Sequence, residues 1–234
     1  MRDIVSEQTL HDMRDYYRAR AAEYDEWFYR RGRYDRGPDA NARWFADAEE
    51  VFAALDALQI TGDVLELAPG TGIWTERLAR TARSITTVDT SPEMIAINRA
   101  KVASERVTYV LADLFTWRPE RTYDAVVFGF WLSHVPDERL DTFWRMVAAA
   151  LRPGGTVFFV DSLRDQTSTA ADHQWPEESS PVMTRRLNNG AEFQIVKNFH
   201  APAAVQARCA ASGLDVTVRE TPTYFQYGIG TRRA

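Results

Sequence analysis

The sequence predicts an α/β fold with a doubly wound, mostly parallel sheet of seven strands, the last of them antiparallel. Short segments rich in β-branched and aromatic residues alternate with helical patterns, which is typical of βαβ units. A glycine-rich turn follows the first such segment, and the two final strand segments lie too close together for a crossover connection. A chain of 234 residues suits one such domain.

Five segments are predicted to form the parallel strands, at 63–67, 84–88, 107–111, 124–130 and 156–160. Between them, one helix begins at Ser91-Pro92-Glu93, which offers an N-cap, a first-turn proline and an acidic first turn. Another helix is predicted over 137–151 and a third over 203–212. The strands predicted at 214–220 and 224–229 must then form a hairpin, which makes the last strand antiparallel.

Two regions lie outside this alternation. Residues 1–43 are polar, rich in Arg and Tyr, and contain the turn signal Gly37-Pro38, so we expect a mobile helical extension before a domain at 44–234. The domain then begins with an amphipathic helix from Phe45. A second irregular region at 163–200 follows the fifth strand, and loops of that length are uncommon unless they are functional.

Composition excludes several classes of protein. Hydrophobic residues at 45% and charged residues at 26% indicate neither a disordered nor a fibrous chain. A net charge of −5 with scattered Lys and Arg predicts no nucleic-acid partner. The single cysteine, Cys209, and the lack of an apolar leader make the cytoplasm the expected location. No apolar run approaches the roughly 20 residues that span a bilayer, so we expect no membrane segment.

The turn after the first strand predicts a cofactor site. Gly70 and Gly72 let the backbone approach a ligand closely, and Asp89 ends the second strand at a spacing that suits a carboxylate on ribose hydroxyls. The dinucleotide fingerprint would need glycines at Ala68 and Thr75, which argues against NAD. A nucleotide-dependent oxidoreductase nevertheless remains an alternative at this point.

From residue 45 onward the order of motifs resembles class I S-adenosylmethionine (SAM)-dependent methyltransferases. The family's acidic residue and glycine turn match Glu66, Ala68, Gly70 and Gly72, with Ala68 in place of the commonest glycine. Further matches are Asp89, the segment 112–114, the segment 123–126 entering strand four, and Leu-Arg-Pro-Gly-Gly at 151–155 before strand five. The resemblance implies an enzyme that uses SAM and releases S-adenosyl-L-homocysteine (SAH).

The resemblance also implies a cofactor site. In the family, the residue at Asp113 binds the adenine amino group, those at Asp89 and Met94 hold the ribose and one adenine face, and the turn at Gly70 approaches the methionine part. The cofactor-binding residues expected on this basis are Tyr17, Arg20, Glu66, Ala68, Gly70, Gly72, Asp89, Thr90, Met94, Asp113, Leu114 and Phe130.

One histidine is a candidate catalytic base. Methyl transfer from a sulfonium needs mainly alignment, but an acceptor that is not already ionised must lose a proton. His134 alone among the histidines lies just past the carboxyl end of a predicted strand, where open α/β sheets bind ligands. A bracing role for the turn before Pro136, or a contact with the cofactor, is the alternative.

The extension predicts the acceptor side of the site. Residues 16–25 resemble the N-terminal lid of small-molecule methyltransferases, and Tyr17, Arg20 and Tyr24 would share one face of a helix. The alternative is a solvated amphipathic helix packed on the domain. Aromatic walls favour a small apolar or aromatic acceptor, methylated on O, N or C. The expected substrate-binding residues are Tyr16, Tyr24, Trp27, Trp131, His134 and Trp175, with the insert at 163–200 contributing to the site.

Other expectations concern partners. The Asn-Pro-Pro-Tyr run typical of DNA-base and protein-glutamine methyltransferases is missing after strand four, which favours a small acceptor. No set of His and carboxylates has metal-ligand spacing, so we expect no metal. We expect a monomer or a homodimer. A SAM-binding regulatory or scaffold protein without turnover is the alternative to an enzyme.

Overall fold

The computed structural model describes residues 5–173, 175 and 180–234. Seven strands form one sheet in the order β3-β2-β1-β4-β5-β9-β8, and a separate hairpin pairs β6 with β7. Strand β9 is antiparallel to both of its neighbours, whereas the other pairings in the large sheet are parallel. The predicted fold class is therefore confirmed. The strands are β1 Asp63–Leu67, β2 Ser84–Asp89, β3 Val107–Leu111, β4 Tyr123–Gly129, β5 Leu151–Ser162, β6 Val182–Arg186, β7 Glu192–Val196, β8 Leu214–Glu220 and β9 Phe225–Arg232.

Helices cover both faces of the sheet and bury its side chains. Helices α6 and α7 pack on one face around Phe128 and Phe159, and α3 and α4 pack on the other, where Trp74 of α4 contacts Phe158. Burial of these large side chains stabilises the fold by roughly 1.5–3 kcal/mol each. The helices are α1 Glu7–Ala19, α2 Tyr24–Phe28, α3 Pro38–Ala57, α4 Ile73–Leu78, α5 Pro92–Val102, α6 Asp137–Ala150 and α7 Pro202–Ala211. Within the described ranges, no helix has the length and apolarity needed to cross a membrane.

Helix α3 begins earlier than the sequence indicated. It starts at Pro38 rather than near Phe45, because Gly37 with a φ of 86° turns the chain and Pro38 suits the first helical turn. Trp44 is fully buried and its indole donates to the carbonyl of Phe28 at 2.9 Å. The boundary expected at 43/44 therefore falls inside a helix that joins the extension to the domain.

The extension is packed on the domain rather than extended from it. Leu10, Met13 and Tyr16 of α1 are buried against Met183 and Ile195 of the hairpin. The expected single helical face is wrong in detail, since α1 ends at Ala19 and α2 begins at Tyr24. The break matters little for the site, because the residues expected on that face still converge on one cavity.

Strand β5 is longer than predicted. It begins at Leu151, opposite Tyr123 of β4, so the Leu-Arg-Pro-Gly-Gly motif lies within the strand and not before it. An irregularity in the pairing between Tyr123 and Ala125 accompanies this segment, and such irregularities accommodate proline in strands.

The insert contains a hairpin that the sequence analysis did not predict. Strands β6 and β7 pair antiparallel around a turn in which Gly190 has a φ of 87°. Asn189-Gly190 between two alternating segments is a strong hairpin signal, which the polar composition of the stretch obscures. Of this insert, residues 174 and 176–179 lie outside the described ranges.

Candidate functional site

Two cavities lie beside the carboxyl ends of the parallel strands. The first, here called the carboxylate cavity, follows β1, β2 and β3, and α1 covers it. About 370 Å³ of space in it is not filled by atoms. Its lining residues are Met13, Arg14, Tyr17, Ala68, Asp89, Thr90, Asp113, Leu114, Phe115 and Trp131.

Asp89 lines the carboxylate cavity, and the glycine turn lies against it. Asp89 ends β2 and accepts hydrogen bonds from the backbone N–H groups of Gly70 at 3.2 Å and Ser91 at 2.9 Å. Burial raises the pKa of Asp89 to about 6. Gly72 has a φ of 94°, and a Cβ there would lie 2.9 Å from the side chain of Asn98. Both features require glycine, which explains this position of the motif.

Two further carboxylates lie at this corner. Glu66 of β1 is buried, and neither of its carboxylate oxygens has a hydrogen-bond partner within the described part of the chain. Burial raises the pKa of Glu66 to about 8, and the nearby hydroxyl of Thr75 acts in the opposite direction. Asp113 accepts from the backbone N–H of Phe115 at 2.9 Å and from the guanidinium of Arg14 at 3.1 Å.

These groups fit a bound SAM molecule. A buried carboxyl group without a partner at Glu66 suits the ammonium of the methionine part, because unpaired buried polar groups are costly. Asp89 retains free acceptor capacity for ribose hydroxyls, and Asp113 for an amino group. Met94 is buried in the first turn of α5, next to the Asp89 strand end.

The second cavity, here called the arginine cavity, lies between the extension, the end of β4 and the insert, with about 530 Å³ of open space. Its lining residues are Tyr16, Tyr17, Arg20, Tyr24, Trp27, Tyr34, Phe130, His134, Ser162, Ser168, Thr169, His173, Trp175, Arg185, Lys197 and Phe199.

Two guanidinium groups in the arginine cavity have no carboxylate partner among the described residues. Arg20 is only 7% exposed; it donates to the hydroxyl of Tyr34 at 3.2 Å, and its Nε has no partner in the described part of the chain. Arg185 of β6 donates to the hydroxyl of Thr169 at 2.6 Å. The described residues that line this cavity include no Asp or Glu. Among the described residues that line the cavity, no carboxylate neutralises this positive charge.

His173 lies between Arg33 and Arg185, of which Arg185 lines the arginine cavity. Its Nε2 is 2.9 Å from a guanidinium nitrogen of Arg33, and its Nδ1 is 2.8 Å from one of Arg185. Burial, with the charges of Arg185 and Arg33, lowers the pKa of His173 to about 3. The imidazole is therefore neutral, and it separates the two cations without cancelling either. Arg33 is also paired with Asp172 at 3.3 Å.

Lys197 is buried beside the cavity but is already paired. Its ammonium donates to Ser133 at 2.8 Å and to Asp161 and Ser162 at 3.4 Å each. Asp161, at the end of β5, also accepts from the backbone N–H of Ser133 at 2.7 Å. Since an ammonium has three donors, this network uses all of them and fixes the end of β7 to the ends of β4 and β5.

His134 is buried and holds a defined tautomer. Its Nδ1 is 2.6 Å from the carbonyl of Val196, and its Nε2 is 2.7 Å from the hydroxyl of Tyr17. Because a carbonyl only accepts, Nδ1 carries the ring proton. Burial and the charge of Lys197 lower the pKa of His134 to about 3. An imidazole with that pKa is a weak base near neutral pH.

Most of the expected site residues line one of the two cavities, whereas Glu66, Gly70, Gly72 and Met94 line neither. Arg20 and Phe130, expected to bind the cofactor, line the arginine cavity, whereas Trp131, expected to bind the acceptor, lines the carboxylate cavity. The residues expected at the acceptor that do line the arginine cavity are Tyr16, Tyr24, Trp27, His134 and Trp175. Those expected at the cofactor that line the carboxylate cavity are Tyr17, Ala68, Asp89, Thr90, Asp113 and Leu114.

Sequence reasoning missed most of the charged residues of the arginine cavity. Arg185 lies in β6 and Lys197 directly follows β7, so prediction of that hairpin from Asn189-Gly190 would have assigned both to one element. No local signal marks Arg33 or His173, because their relationship depends on how the extension packs against the insert.

Comparison with known proteins identifies the family. A family model described as a methyltransferase domain matches residues 64–155. DhpI, solved as a complex with SAH, is 36% identical; the match covers 98% of this chain and 99% of that chain, with a TM-score of 0.77. The DhpI complex with SAM and a ligand named HEP gives 36% identity, 97% and 99% coverage, and a TM-score of 0.79.

Relatives known from sequence agree. An uncharacterized methyltransferase of Bacillus cytotoxicus is 28% identical over 60% of this chain and 66% of its own length. A demethylmenaquinone methyltransferase of Tropheryma whipplei is 32% identical over 47% of this chain and 46% of its own length. The chain thus spans between about half and two thirds of these curated relatives. The oxidoreductase and scaffold alternatives gain no support from these matches: the chain belongs to the class I SAM-dependent methyltransferases and is an enzyme that uses SAM.

Proposed function

We propose that this methyltransferase methylates a small acceptor that carries an oxyanion, either a carboxylate or a phosphoryl group, bound in the arginine cavity. The observation that carries the proposal is the pair of guanidinium groups, Arg20 and Arg185, which have no carboxylate partner among the described residues. SAM would occupy the carboxylate cavity, with its methyl group directed toward the arginine cavity.

No carboxylate among the described lining residues compensates the charges of Arg20 and Arg185. Removal of a cation from water costs several kcal/mol unless an anion pairs with it. Arg20 is almost fully buried and Arg185 is half-buried, and desolvation lowers the pKa of the Arg185 guanidinium. An oxyanion between these residues would offset that cost, because guanidinium groups bind carboxylate and phosphoryl oxygens through paired, charge-assisted hydrogen bonds.

The histidines that line the cavity are weak bases, which also supports an acceptor that carries an oxyanion. His134 and His173 both have pKa values near 3, and the lining residues that the structure describes include no Asp or Glu. An acceptor that arrives already ionised needs no base, since its oxygen can attack the methyl group directly. We therefore propose a positioning role for His134 instead of the base role considered from the sequence.

An aromatic or apolar acceptor is the second candidate, and the aromatic wall of the arginine cavity favours it. Trp175 stacks on Phe199 with ring centroids 5.7 Å apart, and Tyr24 and Trp27 line the opposite part of the cavity. These rings would bury the apolar remainder of either acceptor. The two candidates differ in the charge of the acceptor and not in its size.

The test is a methyl-transfer assay with pairs of acceptors matched in shape. Each pair consists of a small carboxylate or phosphonate and its neutral amide or ester, with product identified by mass spectrometry. We expect methylation of anionic members, and a loss of about 100-fold or more for their neutral partners, as for loss of a buried ion pair. Preference for the neutral members would refute the proposal and support the second candidate.

The remaining expectations are part of the same proposal. A net charge of −5 supports the expectation of no nucleic-acid partner. A cytoplasmic location, a place in secondary metabolism, and a monomeric or homodimeric state remain proposals. Light scattering of the purified protein tests the last of these.

A further inference from the structure

Tyr17 separates the two cavities. Of the described residues, it alone lines both the carboxylate cavity and the arginine cavity. The ring is held by edge-on or tilted contacts with Tyr16, Tyr24 and His134, at centroid distances of 5.1, 6.5 and 5.2 Å. If the donor lies on one side of this ring and the acceptor on the other, the methyl group crosses next to Tyr17.

The direction of one hydrogen bond determines whether Tyr17 presents a proton or oxygen lone pairs to the methyl group as it passes between the cavities. Since Nδ1 of His134 donates to the carbonyl of Val196, the other ring nitrogen of the neutral imidazole can only accept. The 2.7 Å contact from the hydroxyl of Tyr17 to Nε2 must then be a donation by the phenol. The phenolic proton is thereby committed, and the oxygen keeps only lone pairs for other neighbours.

We propose that Tyr17 is a catalytic residue whose phenolic oxygen holds the transferring methyl group through C–H···O contacts. His134 and the carbonyl of Val196 are positioning groups, because they fix the polarity of that hydroxyl without touching the methyl group. Hydrogens of a sulfonium methyl carry partial positive charge, so an oxygen lone pair attracts them and an O–H proton repels them. The inference rests on the proposed function only for the site of SAM, and not on the charge of the acceptor.

The insert hairpin has a specific part in this arrangement. Val196 ends β7, and the neighbouring Asn198 and Lys197 bind Ser133, next to His134. The hairpin that supplies Arg185 to the arginine cavity therefore also sets the tautomer of His134. Recognition of the acceptor and orientation of the methyl group are thus linked through one element.

Nuclear magnetic resonance with SAM labelled with ¹³C at its methyl group tests the proposal without an acceptor. In the unmodified protein we expect the bound methyl protons to shift downfield from those of free SAM, as close C–H···O contacts require. Tyr17→Phe keeps the ring and removes the oxygen, so it should move the resonance back toward free SAM. Tyr16→Phe is the matched control, since Tyr16 lines only the arginine cavity, and it should leave the resonance in place.

Kinetics separate catalysis from a purely structural role. Tyr17→Phe should lower kcat several-fold with little change in KM for SAM, because each C–H···O contact is weak. His134→Asn should lower kcat at least as far in the unmodified background, since the freed phenolic proton can turn toward the sulfonium. In the Tyr17→Phe background the same substitution should have no further effect on kcat.

Two results would overturn the proposal. One is an unchanged methyl resonance in Tyr17→Phe, which would show that the phenolic oxygen does not contact the methyl group even though SAM binds. The other is failure of the unmodified, folded protein to bind SAM in a calorimetric titration, which would refute the proposed site of SAM and this inference together. The first result leaves the proposed function intact, so the two failures are distinguishable.

Discussion

The two cavities have opposite charge and different origins. The carboxylate cavity takes Asp89 and Asp113 from the ends of neighbouring strands of the sheet, with Glu66 buried next to them. The arginine cavity takes Arg20 from the extension and Arg185 from the insert hairpin. The sheet thus supplies the cavity that would hold SAM, and under the proposed function the added segments would determine which acceptor binds. A cationic donor and an anionic acceptor would each meet a cavity of complementary charge.

The largest expected effect is at the arginine cavity. Arg185→Met should lower kcat/KM for an anionic acceptor by about 100-fold or more, because it leaves a buried anion without its partner. Affinity for SAM should be unchanged. Steady-state kinetics at several acceptor concentrations measure the effect.

The neighbouring arginine provides the control for that variant. Arg186 follows Arg185 in β6 but is exposed and pairs with Glu192 at 3.4 Å. Arg186→Met should therefore leave kcat/KM within about twofold of the unmodified enzyme, as an exposed pair contributes little. Equal losses in both variants would contradict a specific role for Arg185.

The next largest effect is at the carboxylate cavity. Asp89→Asn keeps the shape of the side chain but removes the charge that ribose hydroxyls would meet, so affinity for SAM should fall by about tenfold to a hundredfold. Isothermal calorimetry measures it, with the exposed Asp215→Asn as control. Unaltered affinity in Asp89→Asn would place the ribose elsewhere.

The two cavities also differ in how much of each could be predicted from the sequence. The sheet, its antiparallel last strand and the positions of Glu66, Asp89 and Asp113 follow a contiguous order of motifs, because strand ends meet at one edge of a parallel sheet. Arg20 and Arg185 are far apart in the chain, and only the packing of the extension on the insert brings them into one cavity. Local sequence patterns do not predict such packing.

His134 shows the same limit for chemistry. Its position after β4 was predictable, and from position alone a base was a reasonable hypothesis. Its burial, the charge of nearby Lys197 and the carbonyl of Val196 were not predictable, and together they keep the imidazole neutral with Nε2 as an acceptor. The difference at the start of α3 has a local cause. Gly37-Pro38 is a turn signal, but proline also suits the first turn of a helix, and α3 begins there.

A smaller expected effect is the pH dependence of SAM affinity. Glu66, with a pKa of about 8, is mostly protonated at pH 7 in the free protein, and a bound ammonium would favour its carboxylate form. SAM binding should therefore release close to one proton at pH 7. Affinity should rise with pH by up to about tenfold per unit and level off above pH 8.

Calorimetry in buffers of different ionisation enthalpy measures this proton release. Asp89, with a pKa of about 6, acts in the same direction at lower pH, because its carboxylate is also the form that accepts from hydroxyls. Glu66→Gln should abolish the release at pH 7. A binding enthalpy that is independent of the buffer would show that Glu66 does not meet the cofactor's charge.

The smallest effect concerns the ion pair that joins α1 to the carboxylate cavity. Arg14 and Asp113 lie 3.1 Å apart, and their side chains are 32% and 31% exposed. Solvent screens such a pair, so Arg14→Ala should change SAM affinity by less than about fivefold. A larger loss would indicate that Arg14 itself binds the cofactor and that the two cavities are less distinct in charge than described.

Titration of inorganic phosphate into the SAH-loaded enzyme, followed by calorimetry, tests the opposite charge of the two cavities most directly. We expect one phosphate per chain in the unmodified enzyme and in Arg186→Met, with affinity at least tenfold lower in Arg185→Met. Equal affinity in all three proteins, or binding of a neutral aromatic alcohol in place of phosphate, would contradict this expectation.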